Sequence, residues 1–449
     1  MFTPEANAYT ITAQPGAVLT IGGTGIDNQS SVVPTITEAP GPFGSSPGIV
    51  NFVDSASAGN VEIITPGGGD DSALGGATFF TDMATAGNAV LITTGAQGFG
   101  SQNGLLLFQG DSSAGASTIT AEGGGHSDAA AGGIVSFSHN ANAGTATMTS
   151  EGAKVLGAFG GEIAFSGNST AAQATLIATG SSGIGGFIAF FGNSSGGNCR
   201  LELLDLGGLE MDFHHPPGVT VGSIEGNGSV FLGPNVLTVG SNNLTTTFSG
   251  VIEDGGAAGG LSKIGTGDLT LQGKNSYSGH TTVRAGSLLL DSLNGSATGD
   301  GPVIVASGTL GGTGTIAGQV VVGTGTGRGA QLAPGTMRRP IGQLLVQGDL
   351  LFGDGGNLII QMDPQSGTAD QITANGVIVS RTAKVRIQVR PGTLTLGTAF
   401  TIISNTAATR IAGTFSNLSD GGIVNVNGNS LQASYEGGDG NDLTLTVVP

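Results

Sequence analysis

The chain has 449 residues, of which 85 are glycine, more than twice the ordinary share of about 7%. Charged residues make up 10% of it, and the formal net charge is -18. So much glycine and so few good helix formers argue against a helical protein. The single cysteine excludes a disulfide scaffold, and the acidic balance argues against a nucleic-acid partner.

The sequence predicts no membrane-spanning segment, because no run of about 20 apolar residues occurs in it. Residues Met1–Asn7 lack the basic region and the apolar core of a secretory signal peptide. Low charge, abundant small polar residues and one thiol nevertheless favour an extracellular or cell-surface protein. An export signal is therefore expected on residues outside this sequence, unless export takes another route.

An internal repeat runs through the first half of the chain. Six phenylalanines head similar segments at spacings of 28, 28, 29, 28 and 25 residues: Phe52, Phe80, Phe108, Phe137, Phe165 and Phe190. A mostly apolar residue precedes each phenylalanine by two positions. Glycine, or once alanine, follows by seven, and mostly apolar or small residues follow by nine and eleven. The variation in length therefore falls in the connection to the next segment, where glycine and serine clusters predict loops at 67–69, 123–125 and 181–183.

Each segment reads as two short strands that alternate inward and outward side chains. A single segment is too small to bury one face, whereas stacked segments bury a continuous ladder with rungs about 4.8 Å apart. The sequence thus predicts an all-β, elongated right-handed parallel β-solenoid, or β-helix, with the phenylalanines in one internal column. Glycine seven residues after each phenylalanine predicts a sharp turn with positive φ.

The second half continues with short strands and Gly/Asn turns, and alternation predicts five inward residues: Leu269, Leu271, Val283, Leu288 and Leu290. From Leu261 to Asp291 the sequence contains a dense series of short motifs. They are Lys263, Gly-Thr-Gly at 265–267, Leu-Thr-Leu at 269–271, Asn-Ser-Tyr-Ser-Gly at 275–279, Thr-Thr-Val at 281–283 and Gly-Ser-Leu at 286–288.

These motifs resemble the passenger-associated β-strand repeat of autotransporter-type proteins. Segments 310–316, 332–335 and 435–447 resemble the usual surroundings of that repeat and extend the resemblance to 219–449. The resemblance implies a secreted or surface-displayed β-solenoid with a structural or adhesive role and no catalytic residues to transfer. Because the given chain stops at Pro449 without an outer-membrane translocator, a passenger-like segment or export by separate machinery is expected.

Four regions are predicted from these patterns. They are N-terminal strands or a cap over 1–44, the phenylalanine ladder over 45–218, the autotransporter-associated repeat over 219–300 and a C-terminal solenoid stack over 301–449.

Two groups of polar residues are candidate sites. Asp or Asn recurs two or three positions after the phenylalanines, at Asp54, Asp82, Asp111, Asn140, Asn168 and Asn193. Such residues cap turns through their own backbone, which is favoured over catalysis. Asp212, His214 and His215 could supply metal ligands, but neighbouring residues on a strand point to opposite faces, so a polar loop is favoured.

Two further positions bear on cofactors. Gly437–Asp442 resembles half of a calcium-binding glycine-rich nonapeptide, which makes Asp439 and Asp442 weak Ca²⁺ candidates. One copy is too few for a site held between adjacent turns, so no cofactor, no metal and no catalytic residue is predicted.

Cys199 stands at an inward position and is predicted to be a buried, inert thiol.

The favoured hypothesis is a non-catalytic extracellular or cell-surface protein that displays repeated turns on a rigid solenoid. Its expected partners are a host or environmental surface, a glycan or matrix, and other copies through end-to-end self-association. Two alternatives stay open: a polysaccharide-active solenoid lyase or hydrolase, and a spacer segment of a longer autotransporter.

Overall fold

A computed structural model describes residues 1–180, 183–292, 294–325, 329–336 and 340–449. Every regular element among them is a β-strand, as the glycine content predicts. The chain divides into two compact units, Met1–Leu237 (unit 1) and Thr238–Pro449 (unit 2). Each unit is a β-solenoid built from stacked parallel coils, which confirms the predicted fold class. No helix among the described residues is long and apolar enough to cross a bilayer.

Unit 1 contains two parallel sheets in which each strand pairs with its equivalent in a neighbouring coil. The phenylalanine sheet consists of Val18–Ile21, Ile49–Phe52, Ala77–Phe80, Leu105–Phe108, Ile134–Phe137, Glu162–Phe165, Phe187–Phe190, Gly208–Glu210 and Ser229–Phe231. The second sheet consists of Thr10–Ala13, Thr35–Glu38, Glu62–Thr65, Val90–Thr93, Thr118–Ala121, Thr147–Ser150, Thr175–Ala178, Arg200–Leu203 and Ser223–Gly226. Gly218–Val221 is a further strand of this unit.

The six phenylalanines form the internal column that their spacing predicts. Successive ring centroids lie 4.6–5.0 Å apart, with planes inclined by 3–13°. All six side chains have zero exposure, and the residues at two before and at nine and eleven after are buried as well. The ring spacing matches the rung spacing of a parallel sheet, because the rings belong to paired residues such as Phe137 and Phe165.

The second strand of each coil differs slightly from its prediction. It begins ten residues after the phenylalanine rather than nine, as in Glu62–Thr65 after Phe52. The residue at nine, Val61 in that coil, is buried but belongs to the preceding turn. The residue at thirteen supplies an additional inward position, as Thr65 does.

The turn between the two sheets has positive φ at the predicted glycine position. Its φ values run from 58° to 70° at the glycines, and Ala172 has 50° at the same position. A Ser, Thr or Asn two residues earlier holds this turn by accepting a hydrogen bond from the backbone N–H, as from Gly87 to Thr85 Oγ1 at 3.1 Å. Backbone bridges between successive coils align the same polar residues in a column: Ser57, Thr85, Ser113, Asn142, Thr170 and Ser195.

A second glycine column lies four residues before each phenylalanine and closes the base of each connecting loop. Its N–H donates to the carbonyl of the first loop residue, as from Gly161 to Glu151 O at 2.7 Å. A Cβ at Gly161 would lie only 2.1 Å from the Ala121 carbonyl oxygen. The close approach of two backbone segments therefore requires glycine here, and the loop outside the base can vary in length.

Unit 2 has three sheets. The leucine sheet consists of Thr246–Phe248, Asp268–Leu271, Ser287–Leu290, Thr309–Gly312, Ala330–Pro334, Gly356–Asp363 and Lys384–Val389, with Thr368–Ala369 antiparallel to Gly356–Asp363. The valine sheet consists of Gly260–Lys263, Thr281–Val283, Val303–Val305, Val320–Val322, Leu350–Phe352 and Val377–Val379. The five inward residues predicted for this half are all buried, at 1% exposure or less.

The third sheet of unit 2 changes from parallel to antiparallel pairing. Thr315–Ile316, Gln343–Val346, Gln371–Ala374 and Ala399–Asn405 pair in parallel. Asp442–Val448, Asn429–Gly437 and Ile423–Val426 then follow as antiparallel strands. Two other strands are Val236–Val239, which lies at the division between the units, and Val251–Glu253.

The last parallel coil of unit 2 is covered on each sheet. Asp442–Val448 pairs with Ala399–Asn405, and Ala412 bonds to the backbone of Val377 and Val379. On Lys384–Val389, side chains replace the missing strand, because Asn417 both accepts from and donates to the Val385 backbone, at 3.0 and 2.7 Å. These contacts satisfy backbone groups that would otherwise form an open sheet edge.

Glu38 is a buried carboxyl at the loop side of unit 1. It is 1% exposed, accepts a hydrogen bond from Thr78 Oγ1 at 2.5 Å, and leaves its Oε2 without a partner. Burial raises the pKa of Glu38 to about 7, although the bonds from Thr78 and Thr65 lower it. The folded protein therefore retains a proton that the unfolded chain releases.

We predict that unit 1 loses stability as the pH rises from about 4.5 to 7. Below this window Glu38 is protonated in both states, and above it the folded state contains a buried charge. The loss from this residue is at most about 3 kcal/mol. Urea unfolding followed by circular dichroism across this range measures it, and Glu38→Gln should flatten the pH dependence. If Glu38→Gln leaves the pH dependence of unfolding unchanged, Glu38 is not the group that causes the loss of stability.

We also predict that Gly161→Ala destabilises unit 1 by about 2 kcal/mol or more, since the new methyl group meets the Ala121 carbonyl. Gly69→Ala is the matched control, because its Cβ would meet no atom within 4 Å. It should change stability by less than about 0.5 kcal/mol. Equal effects in urea unfolding would show that the second glycine column is not required by close approach.

Candidate functional site

Buried polar side chains join consecutive coils of unit 2, and Asn275 lies at their centre. Its Oδ1 accepts from the Ile252 N–H at 2.8 Å, and its Nδ2 donates to the Ala297 carbonyl at 2.6 Å. The side chain is 3% exposed. One amide therefore connects its own coil to the coil before it and to the coil after it.

Lys263 contributes a buried positive charge to the same region. The residue is 2% exposed, and its Nζ donates to the carbonyl oxygens of Ile264, Gly265 and Ala285 at 2.6, 3.2 and 3.4 Å. Burial lowers the pKa of Lys263, because removal from water disfavours the charged form. The three carbonyl oxygens take the place of its hydration shell.

Asp254 provides the corresponding negative charge. Its carboxylate accepts from the Ser278 N–H and hydroxyl and from the Gly256 and Gly259 N–H groups, at 2.7–3.0 Å. Burial acts to raise the pKa of Asp254, but these four bonds outweigh it and lower the pKa. Asp254 lies outside the motif recognised in the sequence, and its only local signal is the Asp-Gly pair that follows a strand.

Tyr277 is the fourth buried polar residue of this region. It has zero exposure and its hydroxyl lies 2.5 Å from Thr281 Oγ1, and burial raises the pKa of Tyr277. We call Asp254, Lys263, Asn275, Tyr277 and Thr281 the coil clamp. Glycines of the motif face carbonyls of the neighbouring coil, with Cβ positions 1.9 Å from Gly240 O at Gly265 and 2.3 Å from Ala258 O at Gly279. These glycines of the motif therefore permit close contact between coils.

Side chains of the Asp/Asn column form hydrogen bonds between successive coils: Asp82 Oδ2 accepts from the Asp54 N–H at 3.2 Å, and Asn140 Nδ2 donates to Asp111 Oδ1 at 3.0 Å. That these residues also cap their own turns stays a prediction. Asp54 and Asp82 themselves have positive φ. The column is an exposed ladder that supports the stack.

The two neighbouring histidines face different partners. His214 is 8% exposed, and its ring nitrogens lie 2.6 and 2.7 Å from the carbonyl oxygens of His215 and Ser194. His215 is exposed, with Nδ1 3.0 Å from Asn193 Oδ1. Among the described residues, no group of three or more His, Cys, Asp or Glu side chains is placed to hold a metal ion.

The remaining candidates are the calcium pair Asp439 and Asp442 and the thiol of Cys199. Asp439 is exposed in the turn between the last two strands, whereas Asp442 is 8% exposed and accepts from the Asn405 N–H at 2.9 Å. Calcium binding by this pair stays a prediction. Cys199 has zero exposure, and burial raises the pKa of its thiol to about 12, consistent with an inert residue.

The connecting loops of unit 1 form a second candidate surface. We call it the loop ridge and define it by residues 66–76, 94–104, 122–133, 151–161, 179–180, 183–186 and 204–207. Ser181 and Ser182, part of a predicted loop, lie outside the described residues. Backbone bonds align the loops from coil to coil, as from Gln97 to Gly68 O and from Lys154 to Gly124 O.

The loop ridge has its own small apolar core. Ala96, Ala130, Ala153 and Ala158 are buried together, with Val155 packed against them. Lys154 forms an ion pair with Glu122 on the preceding coil at 2.5 Å. Partial burial, followed by the charge of Glu122, raises the pKa of Glu151, while Lys154 lowers it. The ridge is thus an ordered surface rather than a set of independent loops.

Comparison with known proteins bears on the coil clamp directly. Residues 261–290 match the family model of the passenger-associated-transport-repeat. The match covers 30 of the 449 residues. The resemblance predicted from the motifs is therefore confirmed over these residues, and the passenger repeat holds all of the coil clamp except Asp254.

A relative also resembles this chain. An 88-residue stretch, 20% of the chain, is 41% identical to the adhesin BmaC autotransporter of Brucella suis biovar 1 (strain 1330). The stretch covers 2% of the length of that adhesin. The similarity to this relative therefore concerns one part of a far longer protein.

We predict that Asn275→Ala destabilises unit 2 by about 2–5 kcal/mol, because it leaves two buried backbone groups unpaired. Asn375→Ala is the control, since Asn375 is exposed at the end of a strand and should cost less than about 0.5 kcal/mol. Hydrogen exchange should show the loss of protection at Ile252 and in the coils beside the clamp. Unchanged exchange there would contradict the role assigned to Asn275.

Proposed function

We propose that this chain is a non-catalytic, surface-displayed passenger segment that attaches to a host or environmental surface. The observation that carries the proposal is the passenger repeat, whose clamp residues stabilise a stack of coils. The identity to part of an adhesin supports an adhesive role. The location that follows is extracellular or at the cell surface.

The proposed mechanism is rigid display. Stacked coils present equivalent turns and loops at regular intervals, so that many weak contacts with a matrix or glycan add together through multivalency. Ordered loops also lose little entropy on binding. The exposed Asp/Asn column and the loop ridge are the two repeated surfaces available for this purpose in unit 1.

Self-association end to end stays part of the proposal. The last coil of unit 2 is covered, whereas Thr10–Ala13 and Val18–Ile21 in unit 1 each pair with one neighbouring strand among the described residues. Ile11 and Val18 beside that edge are 37% and 56% exposed. An unpaired strand edge of this kind can pair with a strand of a second copy.

The polysaccharide-active enzyme and the spacer remain alternatives to the adhesive role. An enzyme would release new reducing or unsaturated chain ends from a soluble polysaccharide. A spacer would neither release such ends nor attach to a surface by itself. The three hypotheses therefore give three different outcomes with one purified chain.

We predict that beads coated with the full chain are retained on a basement-membrane extract, and that excess soluble chain abolishes the retention. Uncoated beads are the control for passive capture. Incubation with a soluble polysaccharide should release no new chain ends. Absence of retention on the extract and on an immobilised neutral polysaccharide would refute the adhesive role, and release of chain ends would favour the enzyme.

A further inference from the structure

Five large apolar side chains of the loop ridge project into solvent. Single exposed apolar residues are ordinary, whereas a contiguous group marks an interaction surface. The exposed fractions are 56% for Phe99, 79% for Leu156, 43% for Phe159, 46% for Ile184 and 51% for Leu206.

Contacts between coils bring Phe159, Ile184 and Leu206 to neighbouring positions, because a Cβ at Gly160 would lie 2.1 Å from Gly185 O and a Cβ at Gly185 would lie 1.8 Å from Leu206 O. The Phe99 ring lies 6.4 Å from the ring of His126 on the next coil, edge to face. Further along, the Phe159 N–H donates to Ala130 O and the Ala153 N–H to Ile184 O, each at 2.9 Å. Leu206 then bonds to Gly180 O at 3.0 Å. Phe159, Ile184 and Leu206 therefore form an apolar row from coil to coil, and Phe99 and Leu156 lie on loops of the same ridge.

The backbone that carries these side chains is ordered. The glycine-closed loop bases and the buried alanines of the ridge fix this backbone. These apolar side chains are therefore exposed to solvent on a backbone that is already ordered. Binding to such a surface avoids much of the cost of ordering loops.

Charge determines the kind of partner. Of the 13 Lys and Arg residues of the chain, unit 1 contains two, Lys154 and Arg200, against 18 Asp and Glu. Lys154 is paired with Glu122 and Arg200 with Glu202 and Glu225. On the ridge itself, Asp70, Asp71, Asp128 and Asp205 are exposed, and Asp71 Oδ1 accepts a hydrogen bond from the Phe99 N–H at 3.0 Å.

We propose that the loop ridge binds a polypeptide segment that presents Lys or Arg beside large apolar side chains. Apolar contacts supply the buried area, and the carboxylates attract and orient the cations. The inference rests on the proposed adhesive function and specifies its receptor as a basic protein surface. An anionic glycan is repelled by the same carboxylates.

Three short synthetic peptides test the two components separately: alternating Leu and Lys, alternating Ser and Lys, and alternating Leu and Glu. We expect the Leu–Lys peptide to bind the full chain most tightly, and added salt to weaken it. Equal binding of the Ser–Lys peptide would overturn the proposal, because charge alone would then suffice.

Matched variants locate the binding surface. The ridge charge set is Asp70→Asn, Asp71→Asn and Asp128→Asn. The control set is Asp54→Asn, Asp82→Asn and Asp111→Asn, in the turns that follow the phenylalanine strands. Both sets remove the same charge and retain hydrogen-bond acceptors. The ridge set should weaken Leu–Lys binding by about tenfold and the control set by less than about twofold. Equal weakening would overturn the proposal.

Apolar variants provide the second comparison. The double variant Leu156→Ser with Leu206→Ser should weaken binding of the Leu–Lys peptide. The control double variant Met83→Ser with Phe213→Ser should leave that binding unchanged, although Met83 and Phe213 are 67% and 72% exposed. Circular dichroism confirms that each variant is folded. If the ridge variants instead abolish self-association seen by sedimentation and leave peptide binding intact, the ridge binds a second copy and the proposal is wrong.

The outcome is separable from the adhesive function. Bead retention without Leu–Lys binding refutes the receptor chemistry and leaves adhesion standing. Peptide binding without bead retention supports the ridge as a site and refutes adhesion to the surfaces used.

Discussion

Register between equivalent residues of successive coils is the constraint on which each unit depends. Parallel pairing places residue on like residue at the spacing of a β-ladder, so every position of the coil becomes a column. A column must therefore suit a stack of identical neighbours. Aromatic rings satisfy this inside, as from Phe52 to Phe190, and hydrogen-bonding side chains satisfy it at the turns.

Much of unit 1 could be predicted because its columns repeat in the sequence. The phenylalanine spacing predicts the stack, and the glycine seven residues later predicts the turn, including the positive φ that Ala172 shares. The sequence does not predict the second glycine column, because its requirement comes from a backbone carbonyl of the preceding coil. Gly161 and Ala121 are 40 residues apart, and spacing between repeats does not reveal such a contact.

The coil clamp could be predicted only in part, because its contacts also depend on residues that the fold brings together. Lys263, Asn275, Tyr277 and Thr281 stand in a recognisable motif, yet their partners are mainly backbone groups, which carry no sequence signal. Asp254 precedes the motif and joins it only through the fold. The antiparallel strands at the end of unit 2 likewise replace the expected continuation of parallel coils, where Asn417 and Asn427 take the place of a neighbouring strand.

Because the loop bases are closed, the length and sequence of a connecting loop can change without a change in strand pairing. The strands on either side of a short connection keep their pairing, as Glu162 with Phe187 across the 25-residue interval, just as they do across the interval of 29. Mutations and insertions beyond the base can therefore accumulate without disturbing the framework. Unit 1 is accordingly a scaffold on which new recognition sequences can be grafted, by natural variation or by design.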